Sequence, residues 1–264
     1  MTDSTPLSEH DARAMIRLLG EVATIDRGHS FQKQRLMDGL CEIIGADRWA
    51  TSLACRYGTD PVPVYVGFSH GGFTEDNFAR FLVALEHPDM PSLNAAMLDE
   101  FRRHRAHLTR RREQIDVENR FPESAAFPLW IAAGLEHLIM SIYPLDEISE
   151  SICAVYRRPG SQPFTARESR ILHIMLSEVP WLHALGWPED RGVTVPALTQ
   201  RQRLTLNLLL EGHSRKLIAD HLGISIHTVG EYIQAVYRHF KVQSQRELIA
   251  RFRRSDGGDQ FPLE

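Results

Sequence analysis

One stretch near the C-terminus, "SRKLIADHLGISIHTVGEYIQAVYRHFK" (214–241), holds the residues whose types and spacing suit a chemical task. His227, Glu231, Gln234, Arg238 and Lys241 recur at spacings of four, three, four and three, which on a helix makes one polar stripe; Val229, Ile233, Val236 and Phe240 make the opposite, apolar one. The chemistry of the polar stripe is recognition. A Gln amide pairs with the edge of adenine, and a Glu carboxylate accepts from the amino group of cytosine. Arg215, Lys216, Arg238 and Lys241 offer charge to phosphate, and Thr228 a hydroxyl near a helix start. Gly230 stands where a side chain is expected; its absence lets the helix backbone approach a groove, or lets another helix pack closely.

No other constellation rivals this one. A phosphate-binding Gly loop, a nucleophile elbow and an HExxH pair are all missing from the sequence, so no catalytic residue is assigned and the chain is not read as an enzyme. Thirteen His include His104 and His107, three apart in a helical pattern, but two His without a third ligand do not make a metal site. No metal and no cofactor is expected. Cys41, Cys55 and Cys153, odd in number and widely spaced, read as buried thiols.

The 264 residues carry a net charge of −4 with 43% apolar and 24% charged side chains, which suits one large or two small globular domains. The charge is unevenly placed. Residues 194–254 hold ten Lys and Arg against four Asp and Glu, a net of +6, whereas the residues before them sum to −7. A small basic module therefore follows a larger acidic one. With no apolar run of membrane length and no secretion signal, a cytoplasmic protein without membrane attachment is expected.

Four helices position the polar stripe. Thr199 with Gln202 caps the first, which stops at Gly212; Ser214 caps the second, which stops at Gly223; Ser225 caps the third; Ser244 with Glu247 caps the fourth. A helix-turn-helix requires a small residue at the crossing, a Gly to reverse the chain and an apolar anchor, and Ala219, Gly223 and Val229 fill those places. Across 198–252, through residues such as Leu198, Thr199, Leu209, Gly212, Ser214, Lys216, Ala219, Ile224, Ser225, Thr228, Val229 and Val242, the sequence resembles the LuxR-type helix-turn-helix family. It departs from the family at Gln202, usually Glu, at Gly230, usually basic, and at Tyr232, usually His or a similar polar residue. The resemblance implies a bacterial transcription regulator that binds double-stranded DNA through Arg215, Lys216, His227, Thr228, Gly230, Glu231, Gln234, Arg238 and Lys241. It also implies a homodimer, for which Leu248 and Phe252 on the fourth helix are the candidates, although their spacing equally suits a core. The other reading is an interaction or dimerisation protein whose helix-turn-helix does not read DNA.

Ahead of this module the periodicity predicts two helices, a strand pair within 48–72, a helix at 73–88 and a helical run over 91–116 with a solvated basic cluster. Two strands joined near Asp146 and a last helix follow, the helix capped by Thr165 and Glu168. This order is an α+β domain with an antiparallel sheet flanked by helices, and it resembles a GAF-like or PAS-like sensor. The expected organisation is a sensor at 8–185, a Gly- and Pro-rich linker at 186–194 and an all-α four-helix LuxR-type domain at 195–260. A receiver-domain phosphorylation pattern is not matched, nor are the Trp, Tyr, Asp and Trp of acyl-homoserine-lactone receptors. The implied small-molecule ligand is therefore unknown.

Overall fold

The computed structural model describes residues 5–26, 29–55, 64–145, 149–184, 198–210 and 212–249. The chain forms two compact units, one comprising Met1–Ala54 with Gly67–Gly192 and a second that takes in Val193–Glu264. The expected linker, the turn at Asp146, the Cys55 side chain and Phe252 lie outside the described residues.

In the first unit, helix α1 (Glu9–Ala23) starts at a capping box in which Ser8 and Asp11 exchange hydrogen bonds. Helix α2 (His29–Ile44) follows and stops at Gly45, whose φ of 65° suits a residue without Cβ. Strands β1 (Arg48–Cys55), β2 (Val64–Gly71), β3 (Leu108–Arg111), β4 (His137–Pro144) and β5 (Ser149–Arg157) form a sheet of order β2-β1-β5-β4-β3, with β3, β4 and β5 paired antiparallel. One face, through Trp49, Ile139, Cys153 and Val155, joins the core built by Leu18, Leu36 and Leu40 with Leu172 and Leu176 of α8 (Ala166–Glu178). The Thr165–Glu168 box caps α8 as expected. Arg167, in its first turn, reaches back to Asp11 and holds that buried carboxyl well below the usual carboxylate range.

Residues of the opposite face, set by strand alternation, meet a second layer: α3 (Glu75–Leu85), α4 (Met90–Leu93), α5 (Ala95–His104), α6 (Arg112–Ile115) and α7 (Phe127–Ala132). It is rich in rings. Phe81 lies 5.7 Å from both Trp130 and Tyr156, and 5.4 Å from Phe73, measured between ring centroids.

Two expectations for this unit are corrected. The helical run over 91–116 is not continuous: Arg105 adopts the left-handed conformation (φ 46°) and ends α5, and Leu108–Arg111 pairs with β4 as an edge strand. Pairing to a distant strand outweighs the local helical pattern there. The basic cluster is consequently divided: Arg103 is exposed on α5 as expected, whereas Arg110, Arg111 and Arg112 are not a solvated helix face. Arg112 is buried, Arg110 pairs with Glu100, and Arg111 donates to the Phe164 carbonyl at 3.2 Å. The last helix also divides, with α8 ending at Glu178 and α9 (Trp181–Ala184) starting after Pro180, which lacks the N–H a continuing helix needs.

The break at Arg105 separates His104 from His107. His107 lies between the sheet and α8, bonded to Ser141 at 2.6 Å and Ser177 at 2.7 Å and stacked on His173 with centroids 4.5 Å apart. His183 stacks on Tyr143 and bonds Ser151 and the Leu176 carbonyl. Burial pushes His107 down to about 3 and His183 to about 4, so both are neutral imidazoles. Among the described residues no group of three or more His, Cys, Asp or Glu is arranged to hold a metal ion. Cys41 and Cys153 are free, buried thiols, and burial raises both above the ordinary range.

The second unit contains α10 (Gln200–Leu210), α11 (Arg215–Leu222), α12 (Ile226–Phe240) and a helical turn at 245–249. Leu204, Leu208, Ile218, Leu222, Val229, Ile233, Val236 and Leu248 fill its interior. No helix among the described residues is long and apolar enough to cross a membrane.

Candidate nucleic-acid interface

Local chemistry sets the angle between α11 and α12. Ser214 accepts from the Leu217 N–H and opens α11; Gly223, at φ 63°, closes it, its N–H returning to the Ala219 carbonyl. Two residues later Ser225 accepts from the Thr228 N–H at 3.0 Å and opens α12. Ala219 is buried at the crossing and Val229 is fully buried behind it, so the small residue, the reversing Gly and the apolar anchor occupy their expected places. Thr199 and Gln202 form the reciprocal cap of α10, with the Gln side chain accepting from the Thr199 N–H at 2.9 Å. The family's usual Glu is replaced here without loss of that bond.

The two stripes of α12 are realised. Val229, Ile233, Val236 and Phe240 are all buried, while His227, Glu231, Gln234 and Arg238 are exposed on the other side. A shallow groove gathers Arg215, His227, Gly230, Glu231, Gln234 and Arg238, six of the nine residues expected to meet DNA. Lys216 is exposed in the first turn of α11. Thr228 is half-buried, its hydroxyl 2.9 Å from that of Ser225. Lys241 is exposed just past the end of α12, where it caps the helix in the left-handed conformation (φ 51°) rather than extending the stripe as a helical residue.

The space above Gly230 is occupied by a side chain, not by a helix backbone. A Cβ built on Gly230 would lie 3.5 Å from Nη1 of Arg215, so the guanidinium from α11 rests over the bare segment of α12. Positive charge thus reaches the middle of the exposed polar face of α12 even though residue 230 supplies none. Sequence spacing could not show this, because it depends on how the two helices cross. Glu231 has His227 at 3.7 Å, both side chains being exposed. Of the dimer candidates, Leu248 is fully buried within its own unit and offers no outward contact.

Residues 196–252 match the family model for bacterial regulatory proteins of the luxR family. The C-terminal unit is a LuxR-family domain. No curated protein matches the chain. Among solved structures, Escherichia coli SdiA is similar at 15% identity over 90% of this chain and 95% of its own, with a TM-score of 0.39. The LBD domain of VqsR from Pseudomonas aeruginosa is similar at 14% identity over 66% of this chain and 94% of its own, TM-score 0.43. The N-acylhomoserine lactone dependent LuxR family factor CepR2 from Burkholderia cenocepacia is similar at 9% identity over 65% of this chain and 92% of its own, TM-score 0.40. At such identities and scores these likenesses carry no functional inference.

Proposed function

We propose that this protein is a bacterial, cytoplasmic DNA-binding transcription regulator that acts as a homodimer. Its GAF-like or PAS-like sensor, residues 8–185, responds to a small molecule and, across a linker at 186–194, controls the LuxR-family domain at 195–260. Binding rather than catalysis is its task. The observation that carries the reading is the groove on α12, which brings Gln234, Glu231, Arg238 and Arg215 to one exposed surface. Gln234 and Glu231 read base edges; Arg215, Lys216, Thr228, Arg238 and Lys241 hold phosphate; His227 flanks the base-reading pair.

The carboxylate of Glu231 on that face favours a second reading, a helix-turn-helix kept for partner contact alone. Fluorescence anisotropy with the DNA upstream of the protein's own gene, at several salt concentrations, separates the two. Gln234→Ala is expected to lose about 1–3 kcal/mol of discrimination at one base position, while Lys216→Ala weakens every sequence alike. Unchanged base preference in Gln234→Ala overturns the assignment of the reading face, and absence of any salt-sensitive binding favours the second reading.

A further inference from the structure

Arg112 opens α6 and enters the ring-rich layer of the first unit, where only 8% of it is exposed. Its guanidinium carbon lies 4.3 Å from the centroid of Phe121 and 5.9 Å from that of Trp130. Its one hydrogen bond is a long one, 3.4 Å to the neutral Asn94 amide oxygen, and its Nε has none. No carboxylate of the described residues lies within ion-pair distance of it. Asp116, whose charge is felt from farther away, accepts from the Phe121 N–H at 2.6 Å through Oδ2, while its Oδ1 lies 3.7 Å from Arg120 and makes no hydrogen bond. A second buried donor nearby is also unused: the indole N–H of Trp130, 3% exposed, has no acceptor.

A buried charge without a paired anion is costly, and ring faces compensate only part of that cost. Burial draws the Arg112 guanidinium down to about 10, still charged at neutral pH. The layer therefore holds a cation and an indole donor, both short of acceptors, among the rings of Phe121, Trp130 and Tyr156, the last two 5.8 Å apart. Such surroundings match an anion carried on an apolar body.

We propose that the first unit binds a small molecule composed of a carboxylate and an apolar or aromatic body, with the carboxylate on Arg112 and the Trp130 N–H and the body among the rings. This rests on the reading of the unit as a small-molecule sensor and names the chemical class it takes. Arg112 acts as the carboxylate's counter-charge, not as a structural tie.

The test uses the full chain and two readouts. In the first, thermal unfolding without ligand compares wild type with Arg112→Met. Relief of an unpaired buried charge is expected to leave Tm unchanged or raise it, whereas a fall of several degrees would make Arg112 structural and overturn the proposal. In the second, Trp fluorescence and calorimetry follow titration with phenylacetate and decanoate against their neutral amides, phenylacetamide and decanamide. Wild type is expected to bind at least one acid at least tenfold more tightly than its amide, and Arg112→Gln, with its folding checked by circular dichroism, is expected to lose that preference. Equal binding of acid and amide, preference retained in Arg112→Gln, or no binding of either acid overturns it. DNA affinity measured on the same preparations is independent of these results, so failure of DNA binding is distinguishable from failure of the carboxylate site.

Discussion

Gly230 is where a single residue carries the most consequence. A Cβ there meets the Arg215 guanidinium at an ordinary contact distance of 3.5 Å, and nothing else comes closer. Gly230→Ala is therefore expected to stabilise the LuxR-family domain by up to about 1 kcal/mol through helix propensity, read by urea unfolding. At that distance the methyl fits beside the Arg215 guanidinium without displacing it, so DNA affinity is expected to stay level in the more stable variant, and a marked loss of affinity would show that the bare backbone at 230 is itself needed at the groove. The exposed polar face of α12 was legible in the sequence because the 3.6-residue period separates Val229, Ile233, Val236 and Phe240 from Glu231, Gln234 and Arg238 without help from the rest of the fold. Arg112 was not legible. In the sequence it is one of three consecutive arginines, and only the placement of Phe121 and Trp130, from a 3-10 turn and from α7, buries it.

Elements that carry their own start and stop chemistry were readable, as Thr165, Ser214 and Ser225 show by capping the helices expected of them. Strand β3 was not, since "LTRR" becomes a strand only by pairing with β4, whose residues lie about thirty positions later in the chain. That pairing has a consequence for pH. It carries Thr109 to the Ser141 hydroxyl at 2.9 Å and to His173 at 3.0 Å, and closes β4, α8 and α9 around neutral His107 and His183. Arg110 and Arg170 near His173, and Lys33 near His183, add further resistance to protonation. The unfolded chain takes up protons at these imidazoles near pH 6.5 while the folded chain does not, so stability is full above about 6.5 and falls as the pH drops toward the folded values. At pH 5 each of His107 and His183 is expected to cost about 2 kcal/mol relative to pH 7, as an upper value. Urea unfolding of the chain at the two pH values checks this: His107→Gln should narrow the difference by about one imidazole's share, and an unchanged difference would mean that His107 does not contribute.

At the scale of the whole molecule, charge is distributed by unit. The net of −4 combines residues summing to −7 ahead of position 194, a net of +6 over 194–254 and −3 from Asp256, Asp259 and Glu264, so attraction to a polyanion is confined to residues 194–254 and opposed by the rest. Four exposed cations, Arg215, Lys216, Arg238 and Lys241, are the proposed phosphate contacts. Each phosphate neutralised releases counterions and contributes about −0.9 to the slope of log K against log salt. One protomer engaging all four should then give a slope of about −3.6, and a homodimer about twice that. The slope consequently reports both the contact set and the number of protomers bound. For the dimer, Lys241→Ala is expected to reduce its magnitude by about 1.8, because the substitution removes one contact from each half, whereas in a monomeric complex the reduction is about 0.9. Anisotropy titrations of wild type and Lys241→Ala over a tenfold salt range measure it. A slope near −3.6 that Lys241→Ala changes by about 0.9 would sink the homodimer, and a slope that the substitution leaves unaltered would remove Lys241 from the interface.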